Sequence, residues 1–224
     1  VNNVFFDRAA GVRVAANESA TWHRAVDLLR PGVETVFEAI ARSRPDASTA
    51  CVNEMFDRGA GYSTFVIIRE RDSERGAKDM GSLLPDATTD PHATQEWVRA
   101  DSDYAWSTGV DALGLAQVLQ LWDDPRTAPA FTWWNSVLPD TGHHGGGPHS
   151  PESRASLRDT DRRLSVFLDH LDRHGVTDDV TILLTADHGS EAADSGCRGD
   201  WDDALRAAGI DFRDEAQGFI YLGR

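Results

Sequence analysis

The chain has 224 residues, 40% of them apolar, with 37 acidic and 22 basic side chains and a formal charge of −15. That balance argues against tracking a nucleic-acid backbone, which needs clustered Lys and Arg, while the apolar share suffices for one buried core. No long uncharged apolar run or signal-peptide pattern occurs, and Cys51 and Cys197 form neither a zinc knuckle nor a CxxC pair.

In chain order, Val33, Val36, Phe37 and Ile40 recur at helical spacing, and Pro45 stops that helix. Residues 48–55 read as a strand and 64–68 as a clearer one. Residues 73–107 are polar and rich in Gly, Pro, Asp and Thr, which predicts a long surface excursion. Helical periodicity returns over Val110, Leu113, Leu115, Val118, Leu119 and Trp122. Residues 130–138 then read as a strand running into Asp140. Ser150, Pro151 and Glu152 form a helix start, Leu157, Leu164, Phe167, Leu168 and Leu171 line one face, and Gly175 closes it. Residues 180–185 read as a buried strand of the parallel-sheet kind, 201–208 as a short helix and 218–222 as a last strand. This alternation implies an α/β domain with a largely parallel sheet, and ligands gather at the carboxyl ends of such strands.

Two segments fall at such ends: Asp140-Thr141-Gly142-His143-His144 and Thr185-Ala186-Asp187-His188-Gly189. Carboxylate oxygen plus imidazole nitrogen is the ligand set of zinc or a similar divalent ion. Two half-sets suggest a two-metal centre, and such centres handle phosphoryl chemistry. Bound cations also let an acidic protein take a phosphate group. Gly189 permits the turn by which Asp187 and His188 reach one ion. Asp140 and His144, four apart in a glycine-rich loop, close around another, with Gly145, Gly146 and Gly147 allowing close backbone approach. The bland alternatives are a capped turn for the first pair and a solvated loop for the second. His143 and His149 read as solvated. His170 and His174, at a possible ligand spacing late on the long helix, read as solvated or capping. Trp133 and Trp134 read as rings sent to opposite sides of a strand, and Arg198 as a surface ion pair.

The run Pro139-Asp140-Thr141-Gly142-His143-His144-Gly145-Gly146-Gly147-Pro148 resembles the P-D-x-x-x-H-x-x-G-P segment of type I phosphodiesterases and nucleotide pyrophosphatases, in the alkaline phosphatase superfamily. The helix with Asp161, then Thr185-Ala186-Asp187-His188-Gly189, match further landmarks in order, and Asn3-Val4-Phe5-Phe6-Asp7 resembles the segment after the family's nucleophile. The resemblance implies an alkaline-phosphatase-like fold, with helices on both faces of its sheet, over a single domain 1–224. It implies two divalent ions, Zn2+ above all. Asp140 and His144 would hold one, with a downstream histidine. Asp187 and His188 would hold the other, with an upstream aspartate and a Thr or Ser nucleophile. Asn3 would donate its amide to a phosphoryl oxygen.

The implied activity is cleavage of small phosphodiester or nucleotide-like substrates through a covalent Thr or Ser intermediate, with no membrane-spanning segment and an extracytoplasmic lean. The chain starts at Val1, has no segment before Asn3 and no histidine after His188, so the expectation is a domain incomplete at both ends. Two rivals stand beside this reading: a phosphomonoesterase or phosphomutase of the same superfamily, and a non-catalytic domain with a degraded metal site.

Overall fold

The computed structural model describes residues 4–7, 10–15, 19–22, 25–66, 81–194, 196–197, 199, 201–216 and 219–222. Strands β1 (Val4–Asp7) and β2 (Val12–Ala15) form an antiparallel ribbon, and one helical turn, α1 (Ser19–Trp22), follows. Helix α2 (Val36–Ser43) begins at a reciprocal cap. The Thr35 hydroxyl accepts the Glu38 N–H at 3.1 Å, and the Glu38 carboxylate accepts the Thr35 N–H at 2.9 Å.

The central sheet has three parallel strands in the order β4 (Tyr62–Ser63), β3 (Thr49–Val52), β5 (Phe131–Trp134). β3 is buried at every position, as befits the middle strand of a parallel sheet. Alternation along β5 sends Phe131 against Phe37 of α2, ring centroids 5.8 Å apart, and Trp134 to the opposite face. There Trp134 meets Phe167 at 5.9 Å, under helices α4 (Ser102–Leu121) and α6 (Pro151–Arg173). Val52, Leu115, Val118, Phe167 and Leu171 form the core between sheet and helices. α6 starts where its signals put it: the Ser150 hydroxyl accepts the Ser153 N–H, Pro151 opens the first turn, and Gly175 at φ 66° follows its end. The molecule is a mixed α/β fold with a parallel three-stranded sheet.

Three expectations are corrected. Of the expected strand 64–68, residues 64–66 do not prolong the sheet, because the Thr64 hydroxyl accepts the Asn53 N–H and donates to Gln117, turning the chain after Ser63. Residues 67 and 68 lie outside the described residues, as do 73–80 of the expected excursion. The rest of that excursion, 81–107, is a short 3-10 turn (Ala87–Thr89), helix α3 (Gln95–Ala100) and the start of α4, with Ala87, Ala93, Val98 and Tyr104 in a core cluster. Its polarity serves internal hydrogen bonds. Asp90 is ion-paired with Arg163 at 2.5 Å, both almost wholly buried, and Asp159 accepts from the Thr94 N–H and hydroxyl and the Tyr104 hydroxyl.

Residues 180–185, expected as a buried parallel strand, form no strand: Leu183 is 87% exposed and Leu184 84%. An apolar run specifies burial but names no partner, and among the described residues no strand pairs with it. Helix α7 (Trp201–Ala207) forms as expected. The last strand, β7 (Phe219–Leu222), pairs antiparallel with β6 (Phe212–Ala216) instead of joining the central sheet. The Phe6 N–H donates to the Tyr221 hydroxyl at 2.9 Å, setting this ribbon against β1. No described helix is long and apolar enough to cross a membrane.

Candidate metal centre at the carboxyl ends of the sheet

β3 and β5 end side by side. Asn53 turns the backbone left-handed after β3, at φ 59°, a conformation asparagine tolerates better than most residues. Beyond β5, the Asn135 N–H still donates to the Val52 carbonyl at 3.0 Å, and the chain then meets Asp111 of α4. The buried Asp111 carboxylate accepts from the Ser136 hydroxyl and from the N–H groups of Val137 at 2.9 Å and Leu138 at 3.2 Å. These are the donors a helix start leaves unpaired, and helix α5 (Leu138–Gly146) begins there with Pro139 in its first turn.

The glycine-rich loop expected around Asp140 and His144 is therefore a helix. The two side chains, four residues apart, share one face of α5, with His144 Nε2 3.5 Å from Asp140 Oδ1 and both side chains more than half exposed. The glycines serve helix packing. A Cβ added at Gly142 would stand 2.6 Å from Ser156 Cβ, and one at Gly145 2.9 Å from Glu152 Cδ, so α5 lies against α6 closer than alanine permits. His143 Nδ1 faces the Pro139 carbonyl within α5.

The second pair follows the exposed segment 180–185. His188 Nε2 lies 3.5 Å from Asp187 Oδ2, and the His188 N–H donates to Asp187 Oδ1 at 3.0 Å. His188 Nδ1 lies 2.9 Å from the Gly189 carbonyl, which only accepts. Nδ1 thus carries the proton, and the Nε2 lone pair is left for an ion, the tautomer that metal-ligating histidines adopt. The Gly189 carbonyl, then the charges of Asp187 and Asp140, hold the His188 pKa above its ordinary 6.5. The Glu54 carboxyl, just beyond β3, has its pKa raised by burial and also by the charges of Asp57 and Asp187. His149 Nε2, 3.4 Å from Glu191 Oε1, joins the segment after His188 to the turn between α5 and α6.

The donor chemistry suits divalent ions, two protein ligands to each pair. Beside Asp140 and His144 opens a cleft of about 420 Å³, which Asp101, Asp103, Trp106 and Ser107 also line. Asn3, expected to bind a phosphoryl oxygen, lies outside the described residues, as does Arg198. Trp133 is 41% exposed while Trp134 packs inward, one ring to each side. Cys51, buried, and Cys197, exposed, are not joined in a disulfide. Sequence reasoning missed Asp111 and Glu54. Asp111 had a signal: it falls on the apolar stripe with Leu115 and Val118, where a carboxylate needs dedicated partners.

The family model described as type I phosphodiesterase / nucleotide pyrophosphatase matches residues 1–223. The human ectonucleotide pyrophosphatase/phosphodiesterase family member 7 is 36% identical over 56 residues, 25% of this chain and 12% of that protein. The rat protein of the same name is 35% identical over 51 residues, 23% of this chain and 12% of its own length. The matched part of the chain thus spans 12% of the length of either relative. No solved structure matches.

Proposed function

This chain belongs to the type I phosphodiesterase/nucleotide pyrophosphatase family, and from that premise we propose that it carries the two-metal centre of a hydrolase cleaving phosphodiester or pyrophosphate bonds. The substrates of this reading are small and nucleotide-like, the intermediate is a covalent Thr or Ser ester, and the fold is alkaline-phosphatase-like. The observation that carries it is the pairing of Asp140 with His144 and of Asp187 with His188, each carboxylate 3.5 Å from the Nε2 of its imidazole.

Asp140 and His144 would hold one divalent ion, Asp187 and His188 the other, and the mixed oxygen and nitrogen donors suit Zn2+. Bound there, such ions supply the charge that neutralises phosphoryl oxygens and lowers the pKa of a hydroxyl nucleophile. The chain's own residues prepare the place. The Gly189 carbonyl keeps the proton on Nδ1 of His188, Asp111 fixes the start of α5, and the Asp140 and Asp187 carboxylates attract cations. Asn3 would orient a phosphoryl oxygen through its amide. The word "ectonucleotide" in the relatives' names supports an extracytoplasmic location for this protein as well.

The test is hydrolysis of an aryl phosphodiester and an aryl phosphomonoester by the full-length protein, before and after chelation. Diester turnover lost on chelation and restored by Zn2+ supports the reading. Monoester preference assigns the site to phosphomonoesterase chemistry, and no turnover of either ester leaves a metal-binding domain without catalysis.

A further inference from the structure

The end of α4 and the end of α6 bring together three further metal-ligating side chains. Asp123 stands just beyond α4, while His170 and His174 are four residues apart at the end of α6, their ring centroids 4.5 Å apart. One ligand atom from each of the three lies within 4.8 Å of the others, and among the described residues no other group of three or more does so. His170 is buried, and the other two are exposed.

His170 Nε2 sits 3.1 Å from the Trp122 carbonyl at the end of α4. A carbonyl only accepts, so Nε2 carries the proton and Nδ1 keeps its lone pair. Fixing one ring nitrogen on a backbone carbonyl is how proteins orient a metal-binding imidazole. Capping alone accounts for that single bond. It leaves the convergence of the His170 ring, the His174 ring and the Asp123 carboxylate without a shared purpose.

We propose that Asp123, His170 and His174 form a separate site for one Zn2+-type transition-metal ion, which clamps the carboxyl ends of α4 and α6 together. Two imidazoles and a carboxylate with water in the remaining position make a common four-coordinate set for such an ion. The site is remote from the Asp140 centre. α4 is 20 residues long, with Asp103 near its start on the cleft beside Asp140 and Asp123 past its other end. At 1.5 Å per residue that is a separation of about 30 Å. Ion binding here bridges two helices of the main core, so it acts on stability and not on the reaction.

The test uses the 224-residue chain with Asp140→Ala and Asp187→Ala, which weakens the other centre. Zn2+ is titrated against a competing chromogenic chelator, and thermal unfolding is followed with and without the ion. The expected result is one tight ion per chain and a higher Tm on binding. His174→Ala and Asp123→Asn, both at exposed positions, should each weaken binding by at least about 100-fold, more than loss of an outer partner costs. Asp124→Asn, next door and paired with Arg126, should change affinity by no more than a few-fold. The proposal is overturned if the background chain binds no ion tightly, or if His174→Ala and Asp123→Asn bind as tightly as Asp124→Asn.

Discussion

Asp111 accepts the backbone N–H of Val137 at 2.9 Å, and through that bond a residue of α4 sets where α5 begins. Asp140 and His144 take their positions from α5, so the first Asp–His pair rests on a carboxylate 29 residues earlier in the chain than Asp140. Asp111→Asn replaces one acceptor oxygen by an NH2 group, leaving a donor facing a donor. A buried group left unpaired costs about 1–3 kcal/mol. The urea midpoint should fall accordingly, and Zn2+ affinity at Asp140 should fall with it.

Gly142→Ala separates two opposing effects. Alanine raises intrinsic helix propensity by about 1 kcal/mol over glycine. Its Cβ would stand 2.6 Å from Ser156 Cβ, and overpacking of that kind costs about 1–3 kcal/mol. Ser156 is short and fully buried, so it has little room to yield. Packing wins, and Gly142→Ala should lower Tm; a rise would show that α5 does not lie against α6 as described.

The Asp90–Arg163 pair should be among the costliest to break. Both side chains are almost wholly buried at 2.5 Å, so Asp90→Ala strands a guanidinium in the core. Loss of one partner of a buried pair destabilises by about 3–5 kcal/mol. Denaturant unfolding of Asp90→Ala measures it, and a loss under about 1 kcal/mol would contradict the burial of the pair.

Glu38 makes stability depend on acid. The Arg58 guanidinium, then the Thr35 N–H, hold its pKa at about 2, below its ordinary 4.5. A carboxyl with a depressed folded pKa contributes stability that is fully present above the unfolded value and lost as pH falls through the folded one. Thermal unfolding of the native chain should therefore weaken between about pH 4.5 and about 2. Glu38→Gln should be less stable near neutrality and show a flatter slope across that window.

Local signals made some elements legible. Ser150, Pro151 and Gly175 bracket α6 from sequence alone, because capping chemistry is encoded within one turn. Residues 81–107 were opaque for the opposite reason. Asp90 finds Arg163 73 residues away and Thr94 finds Asp159 65 away, and no local pattern distinguishes such buried pairs from a polar loop. The run 180–185 has no alternation to say which strand it would meet, and Leu183 and Leu184 lie exposed. At the candidate site, both Asp–His pairs were readable as sequence motifs. Their supports were not: Asp111 and Glu54 act from other elements, and the glycines after Asp140 read as a flexible loop until α6 is in place beside them.

The central claim is that the paired Asp and His residues hold ions that perform phosphoryl chemistry. Its most direct test is turnover of an aryl phosphodiester by the zinc-loaded full-length protein and its Asp187→Ala variant, with folding checked by circular dichroism. The account predicts that the native protein turns over and that Asp187→Ala loses at least about 1,000-fold, the scale on which electrostatic stabilisation of a transition state is measured. Turnover that survives Asp187→Ala within a few-fold would contradict it.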